Sequence, residues 1–569
     1  MNIRFRFCLA LCGALLVAGC EEGAKSTTVS YGLATTYSVP TASAAAPTIS
    51  SIPLPGSAQP SPEARSKLKI DLRHGAIASA VTGASSAPYP TPFPGYEIYQ
   101  RLPTNKVQRV AETPLSTFAA SVDTASYSNV RHFLREAKRL PPAEAVRVEE
   151  MVNYFDYDYA KPRDLEERFR PTVMVYPSPW TKGAEILQIG IKGYAQPLSE
   201  LPPLNLVLLV DVSGSMGSPD RLPLVQQVFT ELSEILRPRD RVSIVSYAND
   251  TRLVLSSTSD KGKIRSALAG LKADGGTYGA AGLAMAYQQA EKNLDREATS
   301  RIVLATDGDF NLGISDPDKL ADFVHGKQSL GIHLSVLGVG RGNYNDALAH
   351  KLAAAGKGNA TYVDTITEAR RALLDRMAPT LGALADDLKL QVEFNPAVVA
   401  EYRLIGYESR ELPPEAFRND KVAGGDIGPG HVVTALYEIT TAEGASQRLE
   451  PSRYGAAVPP AARTGEHGDE FAVLHIRYKR PGAADSALVE RPVTVRDRYR
   501  DLGQTPADAR FAAAVAGFAQ ILRRDPAVGS WRFEDAAGLA EGALGGDPFR
   551  HDFLDLVMRA QQARDQIRY

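Results

Sequence analysis

After its twentieth residue this chain of 569 amino acids contains no cysteine; all three, Cys8, Cys12 and Cys20, lie in the first segment. That excludes a disulfide framework and a thiol nucleophile from everything downstream. Charge of one sign is missing as well. The 64 Lys and Arg residues stand against 66 Asp and Glu, a net charge of -2, so there is no basic field to attract nucleic acid and no such partner is expected. Histidines such as His325, His333, His431 and His475 lack the context of a Ser–His–Asp triad. His333 and His475 fall in apolar strand patterns. "GGTYG" and "GVGRGN" lack the lysine of a phosphate-binding loop, and "DVSGSMG" lacks the glycine that an esterase elbow places two residues before its serine. No enzyme is expected on these grounds.

What is present begins with "MNIRFRFCLALCGALLVAGC": two arginines, an apolar run of signal-peptide length, then small residues. The run is too short and too flanked by charge for a typical membrane span. Residues 1–20 therefore read as a signal peptide. Val17, Ala18, Gly19 and Cys20 resemble the lipobox of bacterial lipoproteins. The resemblance implies cleavage before Cys20, lipidation of its thiol, and attachment to a membrane of the cell envelope. Glu21, where inner-membrane lipoproteins carry Asp, then points to the outer membrane of a Gram-negative host. The alternative is an ordinary secretory peptide with a chance cysteine. Residues 21–100, rich in Ser, Ala, Thr, Pro and Gly and without periodicity, read as a disordered tether.

The remaining composition, 44% hydrophobic and 23% charged, is that of a globular protein, and the length suits several domains. Residues 113–200 predict a helical flank followed by a β-hairpin. Val130, Phe133, Leu134 and Ala137 form a helical stripe, with Asp123 and Ser126 at N-cap positions. Tyr154, Tyr157 and Tyr159 are assigned to packing. From 204 to 381 short apolar strands ("NLVLLV", "RVSIVSYA", "RIVLAT", "IHLSVLGVG", "ATYVDT") alternate with helices at 224–236, 264–271, 279–293 and 346–355. This predicts an α/β fold with a doubly wound, mostly parallel sheet. Residues 388–569 predict a flanking antiparallel β unit, able to join the hairpin in one sandwich, and then C-terminal helices.

In a doubly wound sheet, ligands bind beyond the strand C-termini. "LLVDVSGS" delivers Asp211, Ser213 and Ser215 to that rim; "ADGGTYG" adds Thr277, and "LATDGDFN" adds Asp307. Carboxylates and hydroxyls without His or Cys suit Mg²⁺, with Mn²⁺ or Ca²⁺ possible, and not zinc. Such a site would keep a coordination position open for a protein partner's acidic side chain. Asp309 reads equally as a supporting acid or a loop residue, and Asp274 as a turn.

D-x-S-x-S, a distant Thr after Gly-Gly, and a later T-D-G-D resemble the metal-ion-dependent adhesion site of von Willebrand factor type A domains, and 204–381 covers that resemblance. It implies hydroxyl ligation by Ser213, Ser215 and Thr277, with Asp211 and Asp307 acting largely through water. "STFAASVDTASYSNVRHFL" and "FRNDKVAGGDIGPGHVVTALYEI" resemble the flanks of a group of bacterial lipoproteins carrying such a domain. In related domains a C-terminal helix moves on ligation, here 366–381. The expected function is therefore an envelope lipoprotein binding a protein partner through the rim metal. The alternative is a phosphoesterase-like envelope hydrolase using the same metal, and a third reading gives the metal a purely structural role.

Overall fold

The computed structural model describes residues 97–567 apart from 121–122, 309–315, 341, 343, 378–383, 421, 445, 451–466, 482 and 484. The signal segment, Cys20, the tether to residue 96, and Asp309 lie outside the described residues. In chain order β1 (Gln108–Arg109) and β2 (Leu115–Ala119) precede α1 (Ala125–Arg135), α2 (Val148–Val152), β3 (Phe169–Pro177) and β4 (Glu185–Gly193). An alternating stretch follows: β5 (Leu204–Asp211), α3 (Leu222–Ile235), β6 (Arg241–Tyr247), β7 (Thr251–Thr258), α4 (Lys261–Ala269) and α5 (Gly279–Lys292). It continues through β8 (Thr299–Thr306), α6 (Pro317–Gly326), β9 (Ile332–Val339), α7 (Asp346–Ala355), β10 (Ala360–Val363) and α8 (Ile366–Arg370).

These strands form one six-stranded sheet in the order β10-β9-β8-β5-β6-β7, parallel throughout except for the β6–β7 pair. Every residue of β5 is buried, as a strand covered on both faces requires. Its alternate side chains serve two cores. Leu206, Leu208 and Val210 meet Val228, Phe229 and Ile264 from α3 and α4 on one face. Val207 and Leu209 meet Tyr287, Leu320 and Leu352 from α5, α6 and α7 on the other. This is the expected α/β architecture.

The rest of the chain builds β11 (Ala385–Phe394), β12 (Val399–Ile405), β13 (Glu411–Leu412), β14 (Gly425–Ile427), β15 (Val432–Thr441), β16 (Glu470–Lys479) and β17 (Ser486–Thr494). Two antiparallel sheets result, β1-β12-β15-β4-β3 and β13-β2-β11-β16-β17, with β14 paired to β11. Their inner faces share one core, Ile189, Val433 and Tyr437 against Phe118, Leu390 and Leu474. The early strands β1–β4 are thus built into the same sandwich as the late ones. Three final helices, α9 (Ala507–Leu522), α10 (Phe533–Glu541) and α11 (Pro548–Ile567), pack with α1, α2 and the buried Tyr154, Tyr157 and Tyr159.

Some local expectations differ from the structure. Asp123 and Ser126 do not cap α1. Thr124 occupies the N-cap without a side-chain bond, while Asp123 and Ser126 are drawn into contacts with distant segments described below. β7 was not read from the sequence because Leu253 and Val254 are both exposed at the sheet edge, so the strand shows neither alternation nor a buried run. α10 lies inside the C-terminal stretch read as helical, although only Phe533, Ala536 and Ala540 of its nine residues are buried. The predicted helix 366–381 is α8 continued by a wider π-helical segment, Arg371–Met377, and its end lies outside the described residues.

A close approach in the C-terminal helices yields a stability test. A Cβ on Gly517, in the middle of α9, would lie 1.8 Å from Trp531 Cζ3. On an open helix face Gly→Ala stabilises by about 1 kcal/mol. Here overpacking dominates, and Gly517→Ala is expected to destabilise the protein by about 1–3 kcal/mol in urea unfolding.

Candidate functional site

The topology brings the loops carrying all five sequence-selected residues to the C-terminal end of the six-stranded sheet. Asp211 ends β5, fully buried, and its side chain organises the rim. Its Oδ1 accepts the Ser213 backbone N–H at 2.9 Å, and its Oδ2 accepts the hydroxyls of Thr306 at 3.1 Å and Tyr247 at 3.2 Å. Ser213 and Ser215 bring their hydroxyl oxygens within 3.0 Å of each other. The loop carrying Thr277 is held against them by Gly214 N–H donating to Gly275 O at 2.9 Å and Asp274 N–H donating to Val212 O at 2.8 Å. Asp307 follows β8 and is 1% exposed.

Arg221, just before α3, was not singled out in the sequence, yet it decides the charge of this rim. Its Nη1 donates to Asp307 Oδ2 at 2.6 Å and to Ser215 O at 2.8 Å. The side chain crosses Gly340 at the end of β9, where a Cβ would lie 2.2 Å from Arg221 Nε; only glycine leaves that path open. Burial, and then the charge of Asp307, push Asp211 up to about 7 against the pull of its hydrogen-bond donors.

A second buried cluster lies elsewhere, where three parts of the chain meet. Asp123, Glu150 and His350 place one donor atom each within 4.8 Å of one another, an acidic/His grouping consistent with divalent-metal coordination. Asp123 Oδ1 accepts the Ala360 N–H at 2.9 Å and Oδ2 accepts Arg410 Nη2 at 2.7 Å. Glu150 Oε2 accepts the Ser126 N–H at 2.9 Å, and the Ser126 hydroxyl accepts the Arg147 N–H at 3.1 Å. Arg147 Nη1 donates to Asp346 Oδ2 at 2.7 Å and stands 3.0 Å from His350 Nε2. Burial raises the Asp123 carboxyl, but Arg410 and His350 outweigh it and hold the group below the usual range. Burial prevails at Glu150, whose affinity for a proton is raised.

These observations correct the expected function. The charge of Asp307 is met by a guanidinium belonging to the chain. The acidic grouping able to take a metal is Asp123, Glu150 and His350, two carboxylates and an imidazole, and not the Asp–Ser–Ser–Thr–Asp set. Adhesion through a rim-bound Mg²⁺ with an open position is therefore not the reading of this structure, and the hydrolase alternative, which needs the same metal, goes with it. Imidazole suits ions such as Zn²⁺ or Ni²⁺ better than Mg²⁺. The sequence signals for this cluster were spacings, Arg147–Glu150 and Asp346–His350 at one helical turn, easily passed over as surface ion pairs.

Comparison with known proteins agrees with this architecture. Residues 94–188 match the family described as von Willebrand factor, 206–309 the von Willebrand factor type A domain, and 379–563 the family described as uncharacterized protein YfbK, C-terminal. The uncharacterized protein YfbK of Escherichia coli (strain K12) is 41% identical over 486 residues, 83% of this chain and 82% of the relative. The chain belongs to the YfbK family. The uncharacterized protein sll0103 of Synechocystis is 31% identical over 362 residues, 62% of this chain and 80% of the relative. The solved von Willebrand factor type A structure from Catenulispora acidiphila is 16% identical, covers 72% of this chain and 89% of that chain, and superposes with a TM-score of 0.39. Within this YfbK-family chain the rim residues Asp211, Ser213, Ser215, Thr277 and Asp307 all fall inside the matched type A region.

The Asp211 carboxyl yields a pH prediction. Its native value of about 7 lies above the unfolded value of about 3.9, so the folded state binds the proton more tightly. The stability this contributes is complete below the unfolded value and is lost as pH rises through the native one, up to about 4 kcal/mol in full. Asp211→Asn is expected to flatten this fall between pH 5 and 8 in urea unfolding. An unchanged slope would assign the titration to another group.

Proposed function

We propose that this chain is a cell-envelope protein-binding module whose docking face is the rim of the type A sheet, with Arg221 supplying the positive charge that meets an acidic side chain of the partner. The observation that carries this reading is the placement of Arg221 Nη1 between Ser215 O and Asp307 Oδ2. A guanidinium held by a buried carboxylate is oriented in advance, so less entropy is lost when it engages a second carboxylate. Asp211, Ser213, Ser215, Thr277 and Asp307 form the polar floor of the face. Tyr278, 40% exposed and next to the buried Thr277, offers the aromatic contact area that interfaces favour.

The envelope assignment rests on the N-terminal segment and its resemblance to a lipobox. Attachment in this reading falls to Cys20, and among the described residues no helix is long and apolar enough to cross a membrane.

A photo-crosslinking residue at Tyr278 is expected to capture one envelope protein, and Arg221→Ala is expected to weaken that capture at least tenfold. Capture is expected to survive chelator, because the charge is the chain's own. Loss of the partner in chelator with Arg221→Ala still binding would overturn this reading. Separately, Cys20→Ser is expected to move the protein from the detergent phase to the aqueous phase of a partition assay, while the native protein incorporates labelled palmitate.

A further inference from the structure

Away from the rim, a cavity of about 230 Å³ opens between the segment 100–104, the turn around Ala143–Ala145 and the end of α9. Three arginines, Arg101, Arg147 and Arg523, line it against one carboxylate, Glu144. Their burial is graded. Arg101 is exposed and has no ion-pair partner among the described residues, whereas the Arg523 and Arg147 side chains are 6% and 3% exposed. Arg523 is anchored by Glu408 at 2.8 Å and by donating to Leu102 O at 3.2 Å, which fixes one wall. Arg147 spends Nη1 on Asp346, but its Nη2 is buried with no hydrogen-bond acceptor. A buried donor left unmade costs about 1–3 kcal/mol unless something outside the chain takes it up.

We propose that this cavity is a binding site for a small carboxylate. Two features select that class. Guanidinium forks pair with carboxylates through two parallel hydrogen bonds, and Glu144 in the lining disfavours a dianion more than a monoanion. The volume decides the size. It is below the roughly 300–1,000 Å³ of sites for drug-sized ligands. The ligand is therefore a free short-chain carboxylate or the terminal carboxylate of a peptide. Because Arg147 also holds Asp346 on α7, an occupied site engages the charged cluster that joins the N-terminal helices to the type A domain. Nothing in this proposal depends on the rim.

The test is calorimetric titration of the full chain with acetate, succinate, inorganic phosphate, and tri-alanine with a free or an amidated terminus. Saturable binding of at least one carboxylate is expected, with affinity at least tenfold lower in Arg101→Glu, a change at an exposed position. Arg147→Lys, which keeps a positive charge beside Asp346 but removes Nη2, is expected to weaken binding severalfold in protein that circular dichroism shows to be folded at the titration temperature. Tri-alanine binding that is lost on amidation and exceeds that of acetate and succinate identifies a chain terminus as the ligand; stronger binding of either free acid identifies a free carboxylate. Absence of saturable carboxylate binding, binding of phosphate alone, or equal affinity in Arg101→Glu would overturn the proposal.

Discussion

Arg147 donates to Asp346 at 2.7 Å in a place where the two side chains are 3% and 0% exposed, and the assembly of the body hinges on this buried pair and its neighbours. Arg147 precedes α2, Asp346 and His350 belong to α7 beside the six-stranded sheet, and Arg410, paired with Asp123, comes from the loop before β13 of the sandwich. Isolating one such charge from its partner costs several kcal/mol, because solvation is lost with nothing in exchange. The helical flank, the layer around the six-stranded sheet and the sandwich are therefore held to one another through buried charges. A second bridge repeats the arrangement: Arg131 on α1 reaches Asp364 at 2.6 Å and Glu368 at 2.9 Å beyond β10. Arg371 then lies over the rings of Tyr154 and Phe549, tying α8 to α11.

The same need to balance buried acids shapes the rim. Asp211 and Asp307 end neighbouring strands out of water, and proximity of two carboxylates favours keeping a proton on one of them. Burial and the neighbouring Asp307 raise the proton affinity of Asp211 against the pull of its hydrogen-bond donors, and Arg221 pairs with Asp307 at 2.6 Å. A divalent ion would supply its charge from solution and could exchange with it. A guanidinium fixed to the chain supplies charge without exchanging, and it is oriented by the acid that it neutralises. In the proposed function, recognition at the rim would follow the geometry of a guanidinium fork rather than a coordination sphere.

The α/β class was legible because its signal is local. Unbroken apolar runs such as that of β5 announce strands buried on both faces, and the helix read at 346–355 coincides with α7, whose first turn is capped by Asn345 accepting the Leu348 N–H. The D-x-S-x-S stretch likewise announced a loop at a strand end. Hidden features were those whose meaning depends on a distant partner. Asp123 looked like a cap and instead serves Ala360 and Arg410. β7 was masked by its exposed face, and Arg221 looked like an ordinary residue at a helix start.

Periodicity and turn chemistry, acting over a few residues, determined the strands, the helices and the position of the rim from the sequence itself. Which cation answers each buried carboxylate was decided only by the tertiary structure. Coulombic pairing falls off within a few ångströms, and residues such as Arg221 and Asp307 become neighbours only when β5, β8 and α3 are brought together by the fold.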